Sequence, residues 1–312
     1  MQKRDKIYVA GHTGLIGSAL VRRLKSLSYD NVVTRTRNAL DLTDRKKVEQ
    51  FFLQEKPDCV ILAAAKVGGI HANNTYPAEF IFENLSIQNN VIDLAHRMGV
   101  KKLLFLASSC VYPKLCAQPM QEQDLLTGAI EATNEPYAIA KLAGIKMCQA
   151  YQRQYGANFI SVIPANVYGM NDHFDENGHV LAALIEKFHL ARQQKLEDVV
   201  IWGTGKPKRE FFFVNDMADA CIFLLNNYDQ PDVINLGTGI ETSIAELAGQ
   251  IKKVMRFDGA LRFDTSKPDG NPRRLLDSSK IKALGWEAST SLEKGLQLTC
   301  EWYQKNLGRT LL

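Results

Sequence analysis

Short apolar runs alternate with stretches of helical spacing through the first half of the chain. "KIYVAG" reads as a strand breaking into glycines, followed by strands at "NVVTRT", "CVILAAA", "KLLFLAS" and "FISVIPANVYG". Between them, "SALVRRLKSL", "RKKVEQFFLQ", "FIFENLSIQNNVIDLAHRMG" and "YAIAKLAGIKMCQAYQRQYG" place apolar residues every three to four positions. The last two stop at a glycine, the usual helix terminator. Strand and helix in strict alternation predict an α/β chain with a Rossmann-type, doubly wound parallel sheet.

After Gly169 the pattern loosens. "MNDHFDENG" is polar and loop-like, and "HVLAALIEKFHLARQQ" is an amphipathic helix. "DVVIWGTGKPKREFFFVNDMADACIFLLNN" reads as strand, turn, strand and helix, and "INLGTG" with "SIAELAGQIKKVM" as one more strand–helix unit. The expected division is a dinucleotide-binding domain over 1–168 plus about 211–236. A smaller C-terminal α/β substrate lobe takes about 169–210 plus 237–312.

Composition narrows the function classes. A net charge of +4 over 312 residues argues against a nucleic-acid partner while suiting a small anionic ligand. The six cysteines form no CxxC pair and no Cys/His cluster with metal spacing, so neither a disulfide framework nor a bound metal is expected. No leader-like segment opens the sequence and no apolar run is long enough to span a bilayer. The expectation is a cytoplasmic protein without a membrane partner.

Three motifs carry candidate chemistry. "VAGHTGLIGSAL" sets Gly11, Gly14 and Gly17 between the first strand and the first helix. That spacing permits a tight turn, lets backbone N–H groups approach a pyrophosphate, and lets helix pack on strand. The second strand continues into "TRTRNALD", with Arg35 and Arg37 where an NAD-selecting carboxylate would stand. Guanidinium groups match a 2′-phosphate in charge and fork geometry, so NADP(H) is the expected cofactor. "EPYAIAKLAG" puts Tyr137 and Lys141 one turn apart at a helix start, after the strand that ends in Ser108 and Ser109. A lysine beside a phenol is expected to lower its pKa and so let it pass a proton to a carbonyl.

The glycine turn, the serine and YxxxK together resemble the extended short-chain dehydrogenase/reductase family of the nucleotide-sugar type. "LAAAKVGGIHANNTYPAEFIFEN", "SSCVYPK", "NEPYAIAK" and "KREFFFVNDMA" resemble its bifunctional branch, whose members are 3,5-epimerases and 4-reductases of a GDP-4-keto-6-deoxy sugar. The resemblance runs along nearly the whole chain. It implies that Ser108 orients the C4 keto group, that Tyr137 protonates the C4 oxygen as NADPH delivers hydride, and that Lys141 holds the ribose. It further implies that Cys110 and His179 are the acid/base pair that inverts C3 and C5. On residue type alone, Cys110 reads first as a small buried side chain and His179 as a histidine at a helix start, and the resemblance reverses both readings.

Carried over position by position, the resemblance also sets His12, Thr13, Leu15, Ile16, Asp41, Leu42 and Ala64 along the cofactor. The same holds for Leu106, Ala107, Ser109, Pro164, Asn166, Val167 and His179. Lys187, Trp202, Arg209 and Asp269 are implied to contact the GDP-sugar, and the two long helices near 80–98 and 138–155 to pair into a homodimer. The resemblance implies a basic residue in the glycine turn where this chain has Thr13, so one expected partner of the 2′-phosphate is missing and Arg37 remains. The loop before His179 is shorter than the family's, so His173 is a second candidate for the histidine's role. Competing readings are an enzyme of a related GDP-4-keto sugar (a 3,6-dideoxyhexose or a 6-deoxyheptose), an epimerase that retains NAD, and a silent NADP-binding regulator.

Overall fold

The protein is described by a computed structural model covering residues 1–175 and 178–306. The chain runs β1 (Ile7–Ala10), α1 (Leu15–Ser26), β2 (Val32–Val33), α2 (Arg45–Glu55), β3 (Cys59–Leu62), α3 (Ile70–Thr75), α4 (Pro77–Arg97) and β4 (Lys102–Leu106). It continues through α5 (Glu135–Tyr155), β5 (Phe159–Pro164), β6 (Asn166–Tyr168), α6 (Val180–Gln193), β7 (Asp198–Trp202), β8 (Lys208–Phe213), α7 (Val214–Asn227) and β9 (Ile234–Leu236). The last part holds β10 (Glu241–Ser243), α8 (Ile244–Met255), β11 (Ala260–Asp264), β12 (Arg273–Arg274), α9 (Ser279–Ala283) and α10 (Leu292–Asn306).

Six parallel strands form the main sheet in the order β2-β1-β3-β4-β5-β9. Helices cover both faces, which is why β1, β3, β4 and β5 are buried along their whole length and read as unbroken apolar runs. From β1 the chain winds outward to β2 and then reverses through β3, so the crevice between the ends of β1 and β3 is the switch point where open α/β sheets take ligands.

"FISVIPANVYG" is not one strand. It breaks at Ala165, and β6 leaves the main sheet to pair with β8. Pro164 brings no N–H to extend the ladder, and the Asn166 amide donates to Glu210 O at 3.0 Å. Along β6 and β8 the side chains alternate between two cores. Val167 and Phe212 face the first, which surrounds the main sheet, while Tyr168, Phe211 and Phe213 face the second. That second core is closed by α6, α8 and α10. Late in the chain, Leu276, Ile281 and Trp286 return to the first.

The long connection from β4 to α5 is pinned rather than loose. Tyr112, fully buried, donates from its hydroxyl to Asn235 Oδ1 at 2.7 Å, and Asn235 Nδ2 donates to Met120 O at 3.0 Å. Tyr112→Phe leaves the Asn235 oxygen buried and unpaired, so stability should fall by about 1–3 kcal/mol. Urea unfolding measures this; an unchanged midpoint would show that the bond carries no weight.

Candidate active site

The glycine turn follows β1 directly. Gly11 has φ +85°, and a Cβ there would stand 2.7 Å from Ala64 N beyond β3; a Cβ on Gly17 would stand 2.1 Å from Gly11 O. Those two glycines are required by the fold itself. Gly14 is different, because its Cβ would meet nothing nearer than Gly11 O at 3.6 Å. It caps α1 without a side-chain hydrogen bond, and the first turn of α1 has no acidic residue. Beside it, His12 Nδ1 is buried without a partner. Open N–H groups at a helix start, with room kept above them, suit a pyrophosphate.

The two arginines part company. Arg35 turns back to Glu55, which also receives Lys6 just before β1, and it lies 5.6 Å from the Phe51 ring centroid. Its charge is therefore held towards the amino ends of the strands. Arg37 is exposed and meets Glu83 on α4 at 3.0 Å, while Glu83 also holds Lys66 at 2.7 Å. Of the pair, Arg37 stands nearer the crevice. Thr13, in the glycine turn, is exposed. Asp41 accepts from Thr43 and is held low chiefly by that backbone bond, and Leu42 is buried with its carbonyl tied to Asn90. Ala64, Leu106, Ala107 and Pro164 stand at or just beyond the carboxyl ends of β3, β4 and β5, and Asn166 and Val167 follow β5 directly as the start of β6.

The reactive groups gather at the end of β4. Ser108 caps the short turn Ser109–Val111 and stands in hydrogen-bonding reach of both the Cys110 thiol and the Tyr137 phenol. Pro136 opens α5 and Gly156, at φ +67°, closes it, which places Tyr137 and Lys141 in its first two turns. This helix lies so close to β4 that a Cβ on Gly144 would fall 2.3 Å from the Phe105 ring. Lys141 is buried, donates to Leu106 O at 2.9 Å, and sits 5.9 Å from the centre of the Tyr137 ring.

This geometry corrects one expectation. Burial pushes the Tyr137 phenol up, the neighbouring Cys110 adds to the rise, and Ser108 opposes it. The Lys141 ammonium is spent on a carbonyl rather than on the phenol, and burial pushes it down to about 8. Desolvation thus sets the direction of the phenol's shift. Cys110 is buried too; burial pushes its thiol up, while Ser108, Arg274 and Lys141 pull it back.

Arg274 was not singled out in the sequence. Its Nη1 donates to Ser109 O at 2.9 Å, so a guanidinium from β12 supports the turn that carries Cys110. In register with it on β8 is Arg209, which donates to Asn271 O at 2.6 Å. Burial and Arg274 both lower Arg209. Two partly buried guanidinium groups on paired strands concentrate positive charge beside this turn, which suits an anion. "NPRRLLD" showed two arginines, but nothing local said which one reaches a turn 165 positions away.

His179 caps α6 and is largely exposed; its ion-pair partner is Asp172 at 3.7 Å, and its contacts do not join it to Cys110 or Tyr137. The Asp172 carboxylate raises the imidazole against the opposing effect of desolvation. His173 is exposed, and its backbone N–H goes to the same carboxylate. In the outer lobe Trp202 is 59% exposed and so is no core residue. Lys187 lies 5.0 Å from its ring centroid and Lys267 5.8 Å. Asp269 accepts from Thr204 N at 2.8 Å and Thr204 Oγ1 at 2.7 Å, which keeps it beside that ring.

Residues 7–237 match the model of the NAD dependent epimerase/dehydratase family. The chain is 57% identical over 306 residues to GDP-L-fucose synthase 1 of Arabidopsis thaliana, covering 98% of this chain and 95% of that one. It is 50% identical over 316 residues to the GDP-L-fucose synthase of Escherichia coli K12, covering 98% of each. The structure of a GDP-L-fucose synthetase from Naegleria fowleri bound to NADP superposes with a TM-score of 0.91 at 31% identity, over 98% of this chain and 96% of the other.

Proposed function

The chain belongs to the NAD dependent epimerase/dehydratase family, and we propose that it makes GDP-L-fucose from GDP-4-keto-6-deoxy-D-mannose. It is an NADP(H)-dependent oxidoreductase that also epimerises C3 and C5. The observation that carries the reading is the convergence of Ser108, Cys110, Tyr137 and Lys141 at the end of β4. That strand lies next but one to the strand bearing the glycine turn.

NADPH supplies the hydride that reduces C4. The α1 start and the glycine turn would hold its pyrophosphate, and Arg37, which now pairs with Glu83, would meet its 2′-phosphate. Ser108 orients the C4 oxygen by hydrogen bonding, and Tyr137 donates its phenolic proton to that oxygen as charge develops there. A phenol kept protonated by burial is suited to be the donor. Before reduction, the same polarised ketone acidifies the protons at C3 and C5. Cys110, as thiolate, removes one of them, and His179 returns a proton from the opposite face. Arg274 and Lys141 are the charges that favour the thiolate. Arg209 binds the diphosphate, Lys187 adds charge beside it, Trp202 offers a face to the base, and Asp269 accepts from hydroxyls.

Incubation with NADPH and GDP-4-keto-6-deoxy-D-mannose, followed by NMR of the product, tests this. The expected product is the L-configured 6-deoxy sugar with one NADPH consumed per sugar; a D-configured product, or none, would overturn it. A homodimer through α4 and α5 belongs to the same proposal. It is supported by Phe82 on α4 and by Ile139 and Tyr155 on α5, which are 69%, 40% and 53% exposed. Light scattering at micromolar concentration should give twice the 34.9 kDa chain mass, and a monomer there would refute it. All six cysteines are free, and no helix among the described residues is long and apolar enough to cross a membrane.

A further inference from the structure

Between β6 and α6 the chain doubles back so that Asp172 meets His179. The carboxylate is almost wholly buried, with its side chain 3% exposed, while the imidazole in front of it is 61% exposed. One carboxylate oxygen, Oδ1, accepts from His173 N at 2.8 Å and stands 3.7 Å from His179 Nδ1. The other, Oδ2, is buried without a hydrogen-bond partner. A carboxylate so placed costs several kcal/mol unless a cation stands against it. His179 is the ionisable group that stands against it, and the carboxylate raises its pKa.

The turn is built to hold the pair. Asn171 adopts a left-handed φ of 65° and donates to Ser18 Oγ at 2.8 Å, which anchors the segment to α1 beside the glycine turn. Gly178 donates to Asp175 O at 3.0 Å, and a Cβ there would fall 2.0 Å from His173 O. Any larger residue at 178 would open the turn and move His179 off the carboxylate. Two fields act on the ring. As the cap of α6 it sits at the positive end of a helix, which disfavours an imidazolium. The buried carboxylate opposes this field, and it also raises the imidazole against desolvation.

We propose that Asp172 is a positioning residue for His179, keeping a proton on Nδ1 so that Nε2 faces the sugar as the proton donor. When His179 acts, the Nε2–H bond breaks and a C–H bond forms from the enolate electron pair. The imidazolium becomes neutral with its remaining proton on Nδ1, facing Asp172, and Nε2 is recharged from solvent. The same fixing of a tautomer by a carboxylate behind the ring is a general device of proton-transferring histidines. This inference rests on the reading of His179 as an acid/base group, so its test carries a control for that reading.

Solvent-deuterium entry at C3 and C5 would be followed by NMR with NADP⁺ in place of NADPH, in wild type, D172N, D172A and H179N. His179 would be ¹⁵N-labelled to locate its proton. In D172N and D172A, deuterium entry should fall about 100-fold, with the Kd for NADPH unchanged and Nδ1 no longer carrying the proton. Wild-type entry in both Asp172 variants, with H179N inactive, would overturn the positioning role alone. Wild-type entry in H179N would remove His179 from the chemistry, and the inference with it.

Discussion

Tyr137→Phe should slow C4 reduction by about 10²- to 10⁴-fold while C3 and C5 exchange and NADPH binding persist. The substitution removes one oxygen and little else. The ring keeps its edge-on contact with Phe80, 6.2 Å between centroids, so the helix start should hold its place. What disappears is the hydroxyl within reach of Ser108, the group that would protonate the C4 oxygen. Ser108 could still orient and partly stabilise that oxygen, which is why a residual rate is expected. NADPH oxidation in the stopped-flow spectrometer reads the loss, and deuterium entry reads the spared epimerisation. If reduction survived within a few-fold of wild type, the proton would have to come from elsewhere, and the C4 chemistry assigned to the end of β4 would fail.

The main sheet was legible because β1, β3, β4 and β5 are buried on both faces, so each is an apolar run bounded by turn residues. The glycine turn was legible because its backbone needs sit within seven consecutive residues. Failures came where distant segments decide. Nothing within "FISVIPANVYG" says that β8 will capture its second half, since that depends on Asn166 meeting Glu210. Arg35 and Arg37 looked alike until Glu55 and Glu83, on different helices, pulled them apart. Lysine four after tyrosine implied a lowered phenol, but the spacing carried no information about burial, which sets the sign. Arg274 and Asp172 act through folded contacts, the one reaching Ser109 and the other His179.

Cys110→Ser should remove deuterium entry at C3 and C5 by about 10²-fold or more and leave the Kd for NADPH unchanged. Serine nearly matches the thiol in size, so this buried site keeps its packing and the turn its cap at Ser108. A hydroxyl, however, is far weaker as an acid than a thiol, and the pull of Arg274 and Lys141 that opposes burial of the thiolate cannot make an alkoxide near neutrality. The variant should therefore be a reductase without its epimerase, converting the ketone slowly to an unepimerised 6-deoxy sugar. That product separates two explanations of a dead exchange assay. Turnover of NADPH to the unepimerised sugar locates the defect in proton removal at carbon, whereas loss of both activities would mean that the turn itself had shifted. Wild-type exchange in Cys110→Ser would leave His179 without an opposite number, and inversion would need a base from outside the Ser109–Val111 turn.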